Sequence, residues 1–196
     1  MSTFITNFQS PVGIEDLQDR LENGRISNLD MILHYDLYPS IEWTVDKDAR
    51  IGDTVLFMCA KTSVDHIGHI CAELKKAGIE NSDLSNFAKE QRNLYKKYAG
   101  SIIAVGRVAD EPFQDYFPGW KAPYWRSPWY AVIEDICLLH SPVYIAEFRD
   151  FIKVSRTGAI TKLTDEQWEN LSKIIAEKNE TRFVKVCFCK EVCNSH

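Results

Sequence analysis

The chain has 196 residues, 45% hydrophobic and 26% charged, with a formal net charge of -5. These values suit a globular domain with a full core and exclude disordered, collagen-like and small disulfide-framed classes. No apolar run approaches the roughly 18 residues that a spanning helix needs, and MSTFITNFQSPVG lacks the basic and apolar regions of a secretory leader. The expected setting is therefore cytoplasmic, with no membrane partner.

Residues 14–23, IEDLQDRLEN, put Ile14, Leu17 and Leu21 at helical spacing, with Gly24 placed to end the helix. A weak strand is expected near Met31 to Tyr35, and the segment from Leu37 to Val45 leads to a turn at Ile51-Gly52-Asp53. Thr54 to Ala60 then reads as a buried strand. Ser63 is expected to cap a helix ending at Gly78, followed by a second helix over 83–98. The two form a helical hairpin inserted between strands.

Two strands, Ile102 to Val108 and Trp129 to Ile136, flank the most aromatic stretch of the chain. It carries Phe113, Tyr116, Phe117, Trp120, Tyr124 and Trp125 among four prolines, which disfavour a helix or central strand there. Ser141-Pro142 predicts the start of a short helix through VYIAEFRDF, and Gly158 a turn in an irregular segment or short hairpin. Thr164 and Gln167 form a Thr-x-x-Gln capping box for a helix presenting Trp168, Leu171, Ile174 and Ile175. Phe183 to Phe188 reads as a final strand.

The pattern predicts an α+β fold, a small mixed barrel with peripheral helices. It reads as one domain over 1–196, with a helical insertion at about 63–99 and a tail at 189–196. Charge is uneven along it. Residues 1–60 hold four basic and ten acidic side chains, residues 61–107 eight and five, and residues 108–196 eleven and thirteen, so only the helical segment is basic.

Chemical signals are few. Cys59, Cys71 and Cys137 stand isolated in apolar runs and read as buried free thiols. Cys187, Cys189, Cys193 and His196 have metal-ligand types at a spacing that is no standard zinc pattern, and His66 and His69 read as a surface pair. No phosphate-cradling glycine loop or nucleophile elbow is present, and no cofactor, metal or catalytic set is assigned. What stands out is flat rings interleaved with cations: Trp120, Tyr124, Trp125, Trp129 and Tyr130 beside Lys121 and Arg126. A nucleobase is held by such stacking and by hydrogen bonds to its edges.

Four pieces in order resemble the EVE domain of the PUA-like superfamily, which also holds YTH and ASCH domains: Trp43 with DARIGDTVLFMCAK, then GSIIAVGRVADEPFQDY, then SPWYAVIEDICLLHSPVYIAEFRDF, then LTDEQWENLSKII. They span about residues 37–176. Met58 and Cys59 stand where that family usually has an aromatic and a His. The resemblance implies a PUA-like mixed β pseudo-barrel that recognises a modified base in DNA or RNA. It places Trp43, Ala60, Lys61, Thr62, Trp129 and Tyr130 in the base pocket and Trp120, Tyr124, Trp125 and Arg126 in its lid. Lys89, Arg92, Lys96 and Lys97 would contact phosphates. Two alternatives stand beside this reading. One is a small ASCH-type hydrolase of a modified nucleoside, using Lys61 with Glu134 or Asp135; the other is a protein-interaction module.

Overall fold

The computed structural model describes residues 1–24, 27–38, 40–114, 127–154 and 160–179. The predicted final strand, the cysteine tail and the ring-rich segment 115–126 lie outside the described residues. The chain divides into two compact units. One comprises Met1–Asn7, Tyr35–Met58 and the residues from Ile102 onward, the other Phe8–His34 and Cys59–Ser101.

The first unit is built on a mixed sheet of seven strands among the described residues: β1 (Thr3–Phe8), β2 (Ile41–Thr44), β3 (Thr54–Cys59), β4 (Ser101–Val108), β5 (Phe113–Gln114), β6 (Trp129–Tyr144) and β7 (Ile160–Lys162). Their order is β2-β6-β4-β3-β1-β7, with β5 also on β6. β1 and β3 run parallel, since the Thr54 N–H donates to Ser2 O and the Ala60 N–H to Phe8 O. β3 and β4 run antiparallel, joined by Gly52 to Val108 at one end and Gly100 to Cys59 at the other. β2, β5 and β7 each pair antiparallel with their neighbours.

The sheet curls into a half-barrel, which brings β2 at one end of the order to β1, next to the other end. The Thr6 hydroxyl on β1 donates to Thr44 O on β2 at 3.4 Å and accepts the Trp43 indole N–H at 3.2 Å. Inside the curl the strands pack closely. A Cβ on Gly106 would stand 2.6 Å from Ile133 Cγ2 and 3.2 Å from a Phe57 ring carbon. The core joins Ile5, Leu56, Met58, Ile102, Val105, Leu139 and Val143 to Leu171 and Ile175 of the helix Asp165–Lys178.

Several expectations are corrected. β1 has no counterpart in the sequence reading. The strand expected at Met31 to Tyr35 is instead a helix, Asn28–Leu33, closed by a capping box between Ser27 and Asp30. Thr62, not Ser63, is the N-cap residue of the helix that follows β3. The helix expected after Ser141-Pro142 is the end of β6, followed by a 3₁₀ turn at Ile145–Glu147. Ser141 is held as if by a neighbouring strand, because the Asn179 side-chain amide accepts its N–H at 2.8 Å and donates to its carbonyl at 3.2 Å. Pro142 has no N–H that needs an acceptor, and its carbonyl accepts from Lys178 Nζ at 2.7 Å. The capping box at Thr164 and Gln167 is present as predicted and starts the last helix among the described residues, Asp165–Lys178.

The second unit is helical. With α1 (Ile14–Glu22) and α2 (Asn28–Leu33) it holds α3 (Ser63–Lys76) and α4 (Asp83–Tyr98); the helix Asp165–Lys178 of the sheet unit is α5. Leu17 of α1, Ile70 and Leu74 of α3, and Phe87 and Ala88 of α4 form its core. α3 ends where the Ile79 N–H reaches Leu74 O and the Gly78 N–H reaches Lys75 O, the 6→1 and 5→2 pair that requires a left-handed residue, here Gly78 at φ 73°. No helix among the described residues is long and apolar enough to cross a membrane.

Candidate functional site

α4 shows how the sequence sets one surface. Ala88, Gln91 and Tyr95 are buried at i, i+3 and i+7, and the residue after each of them is a cation, Lys89, Arg92 and Lys96. A step of one residue is about 100° around a helix, so the cations share one face beside the buried row. All three, and Lys97, are exposed. Among the described residues, neither Arg92 nor Lys96 is paired with a carboxylate. The Arg92 guanidinium lies over Gly68 of α3, three of its atoms 3.6–3.9 Å from where a Cβ would stand. Lys89 donates to Glu80 O at 3.1 Å, and Lys97 Nζ sits 5.0 Å from the Tyr98 ring centre.

The buried row of α4 is tied to α2 and the N-terminal segment. Gln91 donates to Asp30 Oδ2 at 3.0 Å. The same oxygen takes the Ser27 N–H and hydroxyl, closing the α2 cap. Burial pushes the Tyr95 phenol up from its ordinary value, offset in part by a hydrogen bond with Ser27. Burial likewise raises the Cys59 thiol to about 12, against a lowering by the Ser63 hydroxyl. A thiol so placed stays protonated and inert at neutral pH.

The pocket residues named from the sequence fall in both units. Ala60 is half-buried, while Lys61 and Thr62 are exposed at the start of α3, all in the helical unit. Trp43, Trp129 and Tyr130 belong to the sheet unit. Trp43 is 7% exposed, meets Phe57 edge-on at 5.3 Å between ring centres, and spends its N–H on Thr6; its ring is part of the barrel core. β2 and β6 set Trp43 opposite Ala131 and Thr44 opposite Tyr130. Trp129 is half-buried, with its N–H on the Ser127 hydroxyl at 3.2 Å, and that hydroxyl donates to Val45 O at 2.8 Å. Trp120, Tyr124, Trp125 and Arg126 lie outside the described residues.

Glu134 and Asp135 are successive residues of β6. Asp135 is at φ 50°, so the alternation of faces breaks there into a bulge. Lys61 lies in the other unit. Cys59 is a buried free thiol as expected, Cys71 is free but only half-buried, and Cys137 is disulfide-bonded, correcting the reading of it as free. No group of three or more His, Cys, Asp or Glu suited to a metal occurs among the described residues. A cleft of about 350 Å³ is lined by Met1, Ser2, Asp48, Arg50, Ile51, Asp53 and Lys162, and shares no residue with the predicted site.

Sequence reasoning gives Phe113 no place in the site. In the structure it pairs with Tyr130 across β5 and β6, and the two rings stack at 6.3 Å and 29°. Its position on a two-residue strand directly before the ring-rich segment leaves no periodicity to read.

No family model matches the chain. No curated protein matches it either. Among solved structures, the chain is similar to the crystal structure of protein Atu2648 from Agrobacterium tumefaciens, a structural-genomics target. The likeness has a TM-score of 0.46 and 11% identity over 90% of this chain and 94% of that one.

Proposed function

We propose that this chain is a non-enzymatic nucleic-acid-binding module of PUA-like type that reads a modified base in DNA or RNA. The observation that carries this reading is the exposed cationic face of α4, where Lys89, Arg92 and Lys96 stand in register and Arg92 and Lys96 have no carboxylate partner among the described residues. Cations so arranged attract a phosphate backbone without reading sequence. The resemblance of the ordered segments from Trp43 to Ile175 to an EVE domain supplies the second half, recognition of a modified base. The curled mixed sheet is compatible with that family's pseudo-barrel.

In this reading Trp129 and Tyr130 supply rings at the pocket, and Trp43, paired with Ala131, is a core residue that holds β2 against β6. Lys89, Arg92, Lys96 and Lys97 hold the backbone, and the partner is DNA or RNA carrying the modified base. The test is a titration with oligonucleotides that carry modified or unmodified bases, at two salt concentrations. Tighter binding to one modified form, weakening with salt for all forms, supports the reading. No binding to any oligonucleotide at low salt overturns it.

A further inference from the structure

Resting on the nucleic-acid reading, we infer that Phe113 is a stacking platform for an unpaired base next to the recognised one, which makes single-stranded nucleic acid the substrate class. Phe113 is 37% exposed, and its ring stacks on that of Tyr130, itself only 8% exposed. A large apolar ring stacked on a buried partner, with over a third of its surface open, is accessible for a base to stack on.

The platform is held from three directions. β5 pairs Phe113 with Tyr130 and Gln114 with Trp129. Just before it, the Ala109 N–H donates to Val132 O at 2.8 Å, and the Val132 N–H donates to Asp110 Oδ1 at 2.8 Å. Pro112 fixes the backbone φ at the residue preceding the ring. A ring placed this way loses little conformational freedom when a base covers it. Stacking on an aromatic side chain tolerates any base, because each has a π-face, but it requires that the base be free of its duplex neighbours. The register sets Phe113 on the same face as Tyr130, one of the two rings assigned to the pocket, so the platform adjoins that ring and suits a flanking nucleotide, while Gln114 and Trp129 take the other face.

The experiment titrates labelled mixed-sequence single strands, DNA and RNA, and the duplexes of the same sequence against the wild-type chain, Phe113→Ala, Phe113→Leu and Phe113→Trp. Melting temperatures of the variants confirm that each is folded. Single strands should bind more tightly than duplexes. Phe113→Ala and Phe113→Leu should weaken single-strand binding roughly 5- to 100-fold, and Phe113→Trp should retain it. The slope of affinity against salt should be the same in all four proteins, because the ring neutralises no phosphate. Wild-type binding that Phe113→Ala leaves unchanged, or equal affinity for duplex and single strand, overturns the platform while the nucleic-acid reading stands. A wild-type chain that binds none of the probes removes both.

Discussion

Gly106 and Cys59 are single positions whose surroundings leave little choice. A methyl group at Gly106 would come within 2.6 Å of Ile133 Cγ2, which has neighbours of its own on the sheet. Gly106→Ala should therefore cost about 1–3 kcal/mol of stability, read as a lower urea midpoint with an unchanged slope. Cys59 sits in the apolar interior at 0% exposure, with its thiol raised from 9.0 to about 12. Below pH 9 both folded and unfolded chains keep that proton, and this site adds no pH dependence. Between pH 9 and 12 the unfolded thiol ionises and the folded one does not, so the unfolded state binds fewer protons and stability falls as pH rises. Cys59→Ala should flatten that fall, by up to about 1.4 kcal/mol per pH unit, in urea titrations across the range. Trp43 shows what such positions hide from the sequence. Its indole partner, Thr6, is 37 residues away, and nothing local distinguishes a Trp that closes a barrel from one that meets a ligand.

Elements are legible where periodicity and caps agree. α4 has its buried row and cationic row on a period of 3.6, and α5 has Thr164 and Gln167 at its start, so both can be read from residue spacing alone. α2 escapes that reading because Met31-Ile32-Leu33 is a short apolar run that suits a strand equally well; the deciding signal, Ser27 bonded to Asp30, lies before it. The length of β6 is hidden for another reason. Pro142 is a helix-start signal, and only Asn179, 38 residues from Ser141, makes it a strand residue. Local backbone chemistry can be tested at two of these elements. Thr164→Ala removes the cap that accepts the Gln167 N–H at 3.2 Å and should lower stability by about 0.5–2 kcal/mol in chemical denaturation. In the β6 bulge, Asp135 holds φ at 50°, a conformation costly for a branched side chain. Asp135→Val should destabilise by roughly 1–3 kcal/mol through backbone strain that Asp135→Gly does not incur, so the Val variant should melt below the Gly variant.

At the scale of the whole molecule, the α+β class and the curled sheet are legible because strands rich in Ile, Val and aromatics recur between helical segments. The division into two units is not, since β3 and β4 carry the chain into and out of the helical unit without a linker of distinctive composition. The candidate site is legible in part for the same reason. Cations on α4 follow from helical phase, whereas the stack of Phe113 on Tyr130 depends on strand register across 17 residues of sequence, which no spacing rule supplies. The most direct test of nucleic-acid binding is the dependence of oligonucleotide affinity on salt, compared between the wild-type chain and one carrying Lys89→Ala, Arg92→Ala, Lys96→Ala and Lys97→Ala together. Each lost contact to a single strand should reduce the slope of log K against log salt by about 0.7, so the fourfold variant should be shallower by up to about 3 and bind weakly at low salt. An identical slope and affinity in the two proteins would contradict the assignment of this face to phosphate binding.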